Sequence, residues 1–254
     1  MVRGETDRDL ARDSTALGIV IPVAHQFNQL SALLLEIDSL SRSIPLVVVE
    51  ASPGPTKASP NQAQRDRARA QVAALGGQWF VYPASRGGQI AQGIAVLNTP
   101  WCWVVHADTR YIEASWHYLT RLSQSRALGW GRFDVSLSGS HWGLPIVAYL
   151  MNWRSRRTRM CTGDQAMFFH RSLLDRIGGF PPQPLMEDIE VSRRLQRLRD
   201  HQFFAPAIAI TASGARWERQ GWLKTVLSMW WYRACYYFGV SAEDLYQRYY
   251  GPRP

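Results

Sequence analysis

The stretch Gly178-Gly179-Phe180-Pro181-Pro182-Gln183-Pro184-Leu185-Met186-Glu187-Asp188 delivers two adjacent carboxylates directly after a glycine- and proline-rich turn. Such a run cannot continue as regular structure, because proline removes a backbone donor and glycine favours turn conformations. In the segment that follows, Val191, Leu195 and Leu198 stand at i, i+4 and i+7, the spacing of one helix face. The two carboxylates therefore fall in the first turn of a helix. Acidic residues there complement the helix dipole and cap free N–H groups. A carboxylate at the edge of a core, beside a turn, is also suited to take a proton from a hydroxyl as a general base. Asp188, three residues before Val191, leans toward the buried side and is the residue for that role; Glu187 is placed to steady the turn.

A second carboxylate position lies upstream. The apolar run Trp101-Cys102-Trp103-Val104-Val105 leads into His106-Ala107-Asp108-Thr109, so Asp108 stands at a strand end. A carboxylate there suits a hard divalent cation that in turn holds a diphosphate; capping its own loop is the alternative. His106 is placed to touch a ribose or phosphate, or to be a satisfied strand-end histidine. No GxxxxGK[ST] loop occurs, no GxGxxG follows the first strand, and no nucleophile elbow is present, which disfavours a kinase, a nicotinamide enzyme and a serine hydrolase. The remaining set suits transfer from a nucleotide-diphosphate donor onto a hydroxyl.

The elements that must position these residues alternate. Leu17 to Ile21 reads as a buried strand stopped by Pro22, and Phe27, Leu30, Leu33, Leu34 and Ile37 mark an amphipathic helix. Leu46 to Val49 is a second strand ended by Glu50 and the loop Ala51-Ser52-Pro53-Gly54-Pro55. Arg65 to Leu75 is a helix closed by Gly76-Gly77, Trp79 to Tyr82 a third strand followed by Arg86, and Gln89 to Leu97 a helix before the Trp101 strand. Four β-then-α units predict a mostly parallel, Rossmann-like α/β sheet with helices on both faces. Ligands on such sheets bind beyond the carboxyl ends of the strands, which singles out Glu50, Arg86, His106 and Asp108. Farther on, Phe133 to Val135, Ala166 to Phe169 and a stretch near Phe203 to Ile210 read as strands. Arg154, Arg156, Arg157 and Arg159 form a basic cluster. With no repeat or linker, residues 1–254 read as a single domain: 1–16 a flexible lead-in, 17–125 a nucleotide-binding half, and 126–254 an acceptor half with a C-terminal helix.

The composition is that of a globular protein, 46% apolar and 19% charged. The net charge is +9 and arginine dominates it, since Lys57 and Lys224 are the only lysines. Arginine forks suit phosphate, so an anionic partner is expected: a phosphorylated substrate, an acidic membrane surface or nucleic acid. No nucleic-acid module is recognisable, which disfavours the last. Cys102, Cys161 and Cys235 form no CxxC pair and read as reduced core thiols of a cytoplasmic protein. Trp222 to Val240 is aromatic but interrupted by Lys224 and Arg233. It reads as an amphipathic helix, packed on the core or resting at the inner face of an anionic membrane.

The order strand-Pro22, strand-Glu50, Arg86 to Gly93, His106-Ala107-Asp108 and Glu187-Asp188 resembles the family-2 glycosyltransferases, over Leu17 to Gly251. The most specific part runs from Gly163-Asp164-Gln165 through Arg197. Within the family the chain is most similar to the bacterial subgroup associated with arsenosugar biosynthesis, which has HAD in place of DxD and an element like Ala215-Arg216-Trp217 near its end. The resemblance implies the GT-A fold and an inverting, metal-dependent hexosyltransferase using a nucleotide sugar, a UDP-sugar by preference. Asp108 would then ligate Mg2+ or Mn2+ on the donor diphosphate and Asp188 would be the catalytic base, with Glu187 beside it. Pro22, Glu50, Arg86 and His106 would line the nucleotide-sugar pocket, and Arg216 and Trp217 the acceptor and diphosphate side. Three departures fall in the donor half: Gln26 where the family has an acidic residue, the loop Glu50 to Thr56 in place of a sequence like DGGSTDGT, and Ala91 in place of asparagine. They motivate an alternative, a non-catalytic nucleotide-sugar-binding or scaffold protein on the same fold. The acceptor is not specified by the sequence.

Overall fold

The computed structural model describes residues 16–40, 44–52 and 62–251. The expected lead-in at 1–15 and the loop positions 53–56 lie outside the described residues. The elements, in chain order, are β1 (Leu17–Val23), α1 (Phe27–Leu40), β2 (Leu46–Ala51), α2 (Gln62–Ala74), β3 (Gln78–Tyr82), α3 (Arg86–Val96), β4 (Trp101–Val104) and α4 (Glu113–Ser123). They continue with β5 (Gly129–Gly131), β6 (Asp134–Ser138), α5 (Leu144–Thr158), a 3-10 turn (Gly163–Gln165), β7 (Phe168–His170), α6 (Arg171–Arg176) and α7 (Glu187–Gln196). The last are β8 (Gln202–Phe204), β9 (Ala209–Ser213), α8 (Ala215–Gln220), α9 (Trp222–Tyr237) and α10 (Ala242–Tyr250).

Seven strands form one sheet in the order β3-β2-β1-β4-β7-β5-β8. The first four are parallel, as the β-then-α alternation requires. Successive residues of β1 alternate between two cores. Leu17, Ile19, Ile21 and Val23 join α1, α2 and α4 on one face, while Val20 meets Ile90, Ile94, Val191 and Leu195 on the other. Burial on both faces is why these strands read as continuous apolar runs rather than alternating ones. β7 runs antiparallel to both β4 and β5, and β5 pairs in parallel with β8. A separate two-stranded sheet, β6 with β9, carries a third cluster in which Val135, Leu144, Val147, Met151 and Trp217 pack together.

Several sequence expectations are corrected. Pro22 does not stop β1; it lies inside the strand, in register with Val49. Its missing N–H faces the β4 side, where pairing has already ended at Val20 and Val104, so no ladder bond is lost. Glu50 likewise belongs to β2, paired with Val23 and Val81. Arg86 opens α3 rather than ending a loop, because Ser85 caps the helix by accepting the Gly88 N–H. The expected strand at 133–135 is the start of β6 in the second sheet, with Phe133 just before it, and the stretch near 203–210 is two strands in different sheets.

The C-terminal helix α9 is present as expected and packs on the core along one side. Only Thr225 of α9 is fully buried, because the narrow stripe of Trp222, Val226 and Met229 suffices for its core contact. Leu223, Leu227, Trp230, Trp231 and Tyr237 are exposed. Among the described residues no helix is long and apolar enough to cross a membrane. The three cysteines are free; burial pushes the Cys161 thiol up to about 12, making it a poor nucleophile, and Cys235 is half-buried.

Candidate active site

Four chain segments far apart in sequence meet at the carboxyl edge of the parallel strands: the start of α3, the turn after β4, the 3-10 turn and the start of α7. The Gly-Pro turn is anchored to the first of these, as the Ser85 hydroxyl donates to the Pro182 carbonyl at 3.0 Å. Gly178 and Gly179 both have positive φ, so the expected turn depends on them.

Glu187 and Asp188 diverge from this turn. Glu187 is buried and ion-paired with Arg86 on α3. Its expected part in steadying the turn is thus a tie between two helices. Burial pushes the Glu187 carboxyl above the ordinary glutamate range, and the opposing pull of Arg86 does not cancel this. For Arg86 itself burial disfavours the cation, but Glu187 and Asp188 outweigh that and raise its pKa. The second oxygen of Glu187, Oε2, has no protein partner, and Glu187 lines a cavity of about 10 Å3 together with Asp188 and Gly163. That is close to the space one water molecule needs.

Asp188 is half-buried. Its Oδ2 accepts the Gly163 N–H at 3.0 Å, its Oδ1 accepts the Ile189 N–H at 2.8 Å, and Arg86 Nη2 lies 4.0 Å away. An ionised carboxylate offers about four lone-pair positions, so these contacts orient Asp188 while leaving room for a hydroxyl. The charge of Arg154, on α5, also bears on Asp188.

Gly163 links this group to His106. A Cβ at Gly163 would lie 2.6 Å from His106 Cε1 and 2.8 Å from Nε2, so only glycine permits the ring to rest against the turn. His106 Nδ1 sits 3.4 Å from Asp164 Oδ1. Burial alone would raise the Asp164 carboxyl, but the hydrogen bond and charge of His106 outweigh it and hold the group below the ordinary aspartate range. His106 Nε2 is buried without a partner. Asp108 occupies the turn closed by Thr109 N–H donating to the His106 carbonyl at 3.0 Å. It is half-buried and has no hydrogen-bond or ion-pair partner among the described residues. Substituting Gly163→Ala is expected to displace the His106 ring and lower turnover by about 10-fold or more, with the fold retained by circular dichroism. Unchanged turnover would show that this packing is not needed.

The other expected residues are dispersed. Pro22 is buried in β1. The Glu50 carboxylate is buried and taken by Arg65 Nε at 2.7 Å and Trp79 Nε1 at 3.1 Å. Arg216 stacks on Tyr249, 4.8 Å from the ring centre, and its charge bears on Asp164, whereas Trp217 is buried in the third core cluster. Sequence reasoning did not find the parts of Gly163, Asp164 and Arg154. Gly163-Asp164-Gln165 stood out only through the family resemblance, and Arg154 only as one of a cluster. Gln89 was also missed as a strut: its buried amide donates to Val23 and Val49 carbonyls at 2.9 and 2.7 Å, tying the ends of β1 and β2.

No protein-family model matches the sequence, and no curated protein matches it. Solved structures do match the fold. A mannosyltransferase from Pyrobaculum calidifontis, in complex with GDP-Man and Mn2+, aligns with a TM-score of 0.56 at 14% identity over 78% of this chain. S. aureus TarS residues 1–349, in complex with UDP-GlcNAc, aligns with a TM-score of 0.56 at 10% identity over 78% of this chain. Glucosyl-3-phosphoglycerate synthase from Mycobacterium tuberculosis, in complex with Mn2+, UDP and glucosyl-3-phosphoglycerate, aligns with a TM-score of 0.53 at 14% identity, covering 83% of this chain and 75% of its own.

The chain has the GT-A fold. It spans 58% of the length of both the mannosyltransferase and the TarS fragment.

Proposed function

We propose that this chain is an inverting, metal-dependent family-2 glycosyltransferase of the hexosyl type, moving a sugar from a nucleotide-diphosphate donor, a UDP-sugar by preference, onto an acceptor hydroxyl. The observation that carries this reading is the oriented Asp188 carboxylate beside Arg86 and, through Gly163, beside the His106–Asp108 turn at the carboxyl edge of a GT-A sheet. The GDP-Man, UDP and UDP-GlcNAc complexes of the structural neighbours support a nucleotide-sugar donor. The HAD sequence and Ala215-Arg216-Trp217 support the subgroup associated with arsenosugar biosynthesis.

In this mechanism Asp188 takes the acceptor proton as the new oxygen–carbon bond forms at the anomeric carbon. The bond from that carbon to the diphosphate oxygen breaks on the opposite face, and its electron pair leaves with the diphosphate. Arg86 lies beside the base, and its charge, with that of Arg154 from α5, favours the ionised form of Asp188 that accepts the proton. Glu187 holds Arg86 in place.

Mg2+ or Mn2+ is implied by the same reading, and the residues fit it. Asp108 is half-buried with no protein partner among the described residues, so its carboxylate is open to an ion, while no group of three His, Cys, Asp or Glu side chains among them could enclose a metal alone. Such an ion commonly uses one or two carboxylates and completes its shell with substrate phosphates and water. When bound, the cation offsets diphosphate charge. Asp108→Ala is expected to cut Mn2+-dependent UDP affinity by about 10-fold or more in calorimetric titration. Undiminished metal-dependent binding would remove Asp108 from this role.

The occupied Glu50 carboxylate favours one second reading, a non-catalytic nucleotide-sugar-binding or scaffold protein. Binding of UDP-sugar with Mn2+, but neither transfer nor donor hydrolysis, would establish it in place of the enzyme. We place the protein in the cytoplasm, with peripheral contact to an anionic membrane through α9.

A further inference from the structure

Nine of the fifteen large apolar side chains that stay exposed among the described residues lie on just two helices, α5 and α9. On α5 they are Ile146, Tyr149, Leu150 and Trp153, at i, i+3, i+4 and i+7. This stripe is opposite the buried face of Leu144, Val147, Met151 and Ser155, so α5 is apolar on both sides. On α9, Leu223, Leu227, Trp230 and Trp231 stand at i, i+4, i+7 and i+8, and Tyr237 continues the same side. The two helices are neighbours. Leu144, Val147 and Met151 share a cluster with Trp222, Val226 and Met229, and the Trp142 and Trp222 rings lie 5.5 Å apart.

Charge identifies what covers this face. Neither helix contains a single Asp or Glu. Arg157 ends α5 and Arg159 follows it, both exposed, while Arg156 beside them is paired with Asp134 at 2.5 Å; Lys224 and Arg233 flank the α9 stripe. Exposed Trp and Tyr bordered by cations, on helices that carry no carboxylate of their own, match the headgroup region of an anionic bilayer, where aromatic rings settle and basic side chains reach the phosphates.

We propose that the outward faces of α5 and α9 form one membrane-docking surface for anionic lipid, which holds the acceptor side of the site against the bilayer. The surface is fixed to that site. Arg154 of α5 bears on Asp188, and Tyr236 of α9 donates from its hydroxyl to Glu190 of α7 at 2.9 Å. This goes beyond peripheral contact through α9, since α5 supplies half of the surface. Lipid binding itself does not depend on glycosyl transfer, whereas the part given to the acceptor side rests on the proposed function.

The test is sedimentation of the full chain with phosphatidylcholine vesicles, with and without phosphatidylglycerol. Binding is expected only with the anionic lipid, and it should weaken as salt rises. The double variants Tyr149→Ser/Trp153→Ser and Trp230→Ser/Trp231→Ser should each lower the partition coefficient by about 10-fold or more. Arg157→Glu, an exposed charge reversal, provides a variant that leaves the apolar packing intact and should weaken binding in the same direction. No binding to anionic vesicles, or equal binding to neutral ones, would overturn the proposal. So would an unaffected α5 double variant, which leaves α9 acting alone. Concentration-dependent self-association abolished by these same variants, without vesicle binding, would show instead that a second copy covers the face.

Discussion

Asp188→Asn is expected to lower kcat by about 10²–10⁴-fold while changing UDP affinity by no more than about twofold. The substitution is close to isosteric. The asparagine Oδ1 can still accept one backbone N–H, so the start of α7 and the position of Gly163 should persist. What disappears is the lone-pair site able to take a proton. Only an interaction made more strongly in the transition state than in the ground state lowers kcat without weakening binding. A residue that merely shaped the turn would change donor affinity and turnover together. Steady-state kinetics with an acceptor panel, paired with calorimetry on UDP and Mn2+, separates the two outcomes. Full turnover in the variant would rule out Asp188 as the base.

The second large effect concerns stability. Arg86→Met is expected to cost about 3 kcal/mol, because Glu187 is left buried without its cation. The figure belongs at the low end for a broken buried pair, since 37% of the Arg86 side chain is exposed. At about 2–4 °C per kcal/mol for a chain of this size, the melting temperature should fall by about 6–12 °C. Arg86→Met combined with Glu187→Leu should recover most of the loss, since no uncompensated charge remains. The pH dependence has a definite sign. The Glu187 carboxyl is raised in the folded protein, so the folded state holds its proton to higher pH than the unfolded chain does. Its contribution is therefore most favourable below the ordinary glutamate range and declines as pH rises through the raised value. Without Arg86 the Glu187 pKa should rise further, so the decline should extend over a wider pH range and total more. Equal melting temperatures for Arg86→Met and the parent protein at neutral pH would refute the structural part assigned to this pair.

Both expectations depend on residues that the chain brings together from a distance, and the sequence disclosed them unequally. Asp188 was legible because a Gly-Pro turn and an i, i+4, i+7 apolar pattern are local signals, readable within about a dozen residues. Asp108 was legible for the same reason, as the polar end of an apolar strand. The pairing of Glu187 with Arg86, 101 positions apart, left no local trace. Nor did the choice between the two carboxylates: helical spacing aimed Asp188 toward the core, yet Glu187 is the buried one, because α3 with Arg86 packs on that side.

By itself the sequence determined the first four strands, their helices and the parallel arrangement that β-then-α alternation enforces. It also fixed the strand-end place of Asp108 and the turn that presents Glu187-Asp188. Tertiary structure alone decided that β7 enters the sheet antiparallel and that β6 and β9 split off as a second sheet. It also decided that Gly163 can lie against His106 and donate to Asp188, and that α5 and α9 each leave an aromatic stripe exposed. The division has a physical cause. Hydrophobic period and turn chemistry act between near neighbours. Strand order, ion pairing across helices and the side of a helix left uncovered depend on contacts that exist only once distant segments have packed.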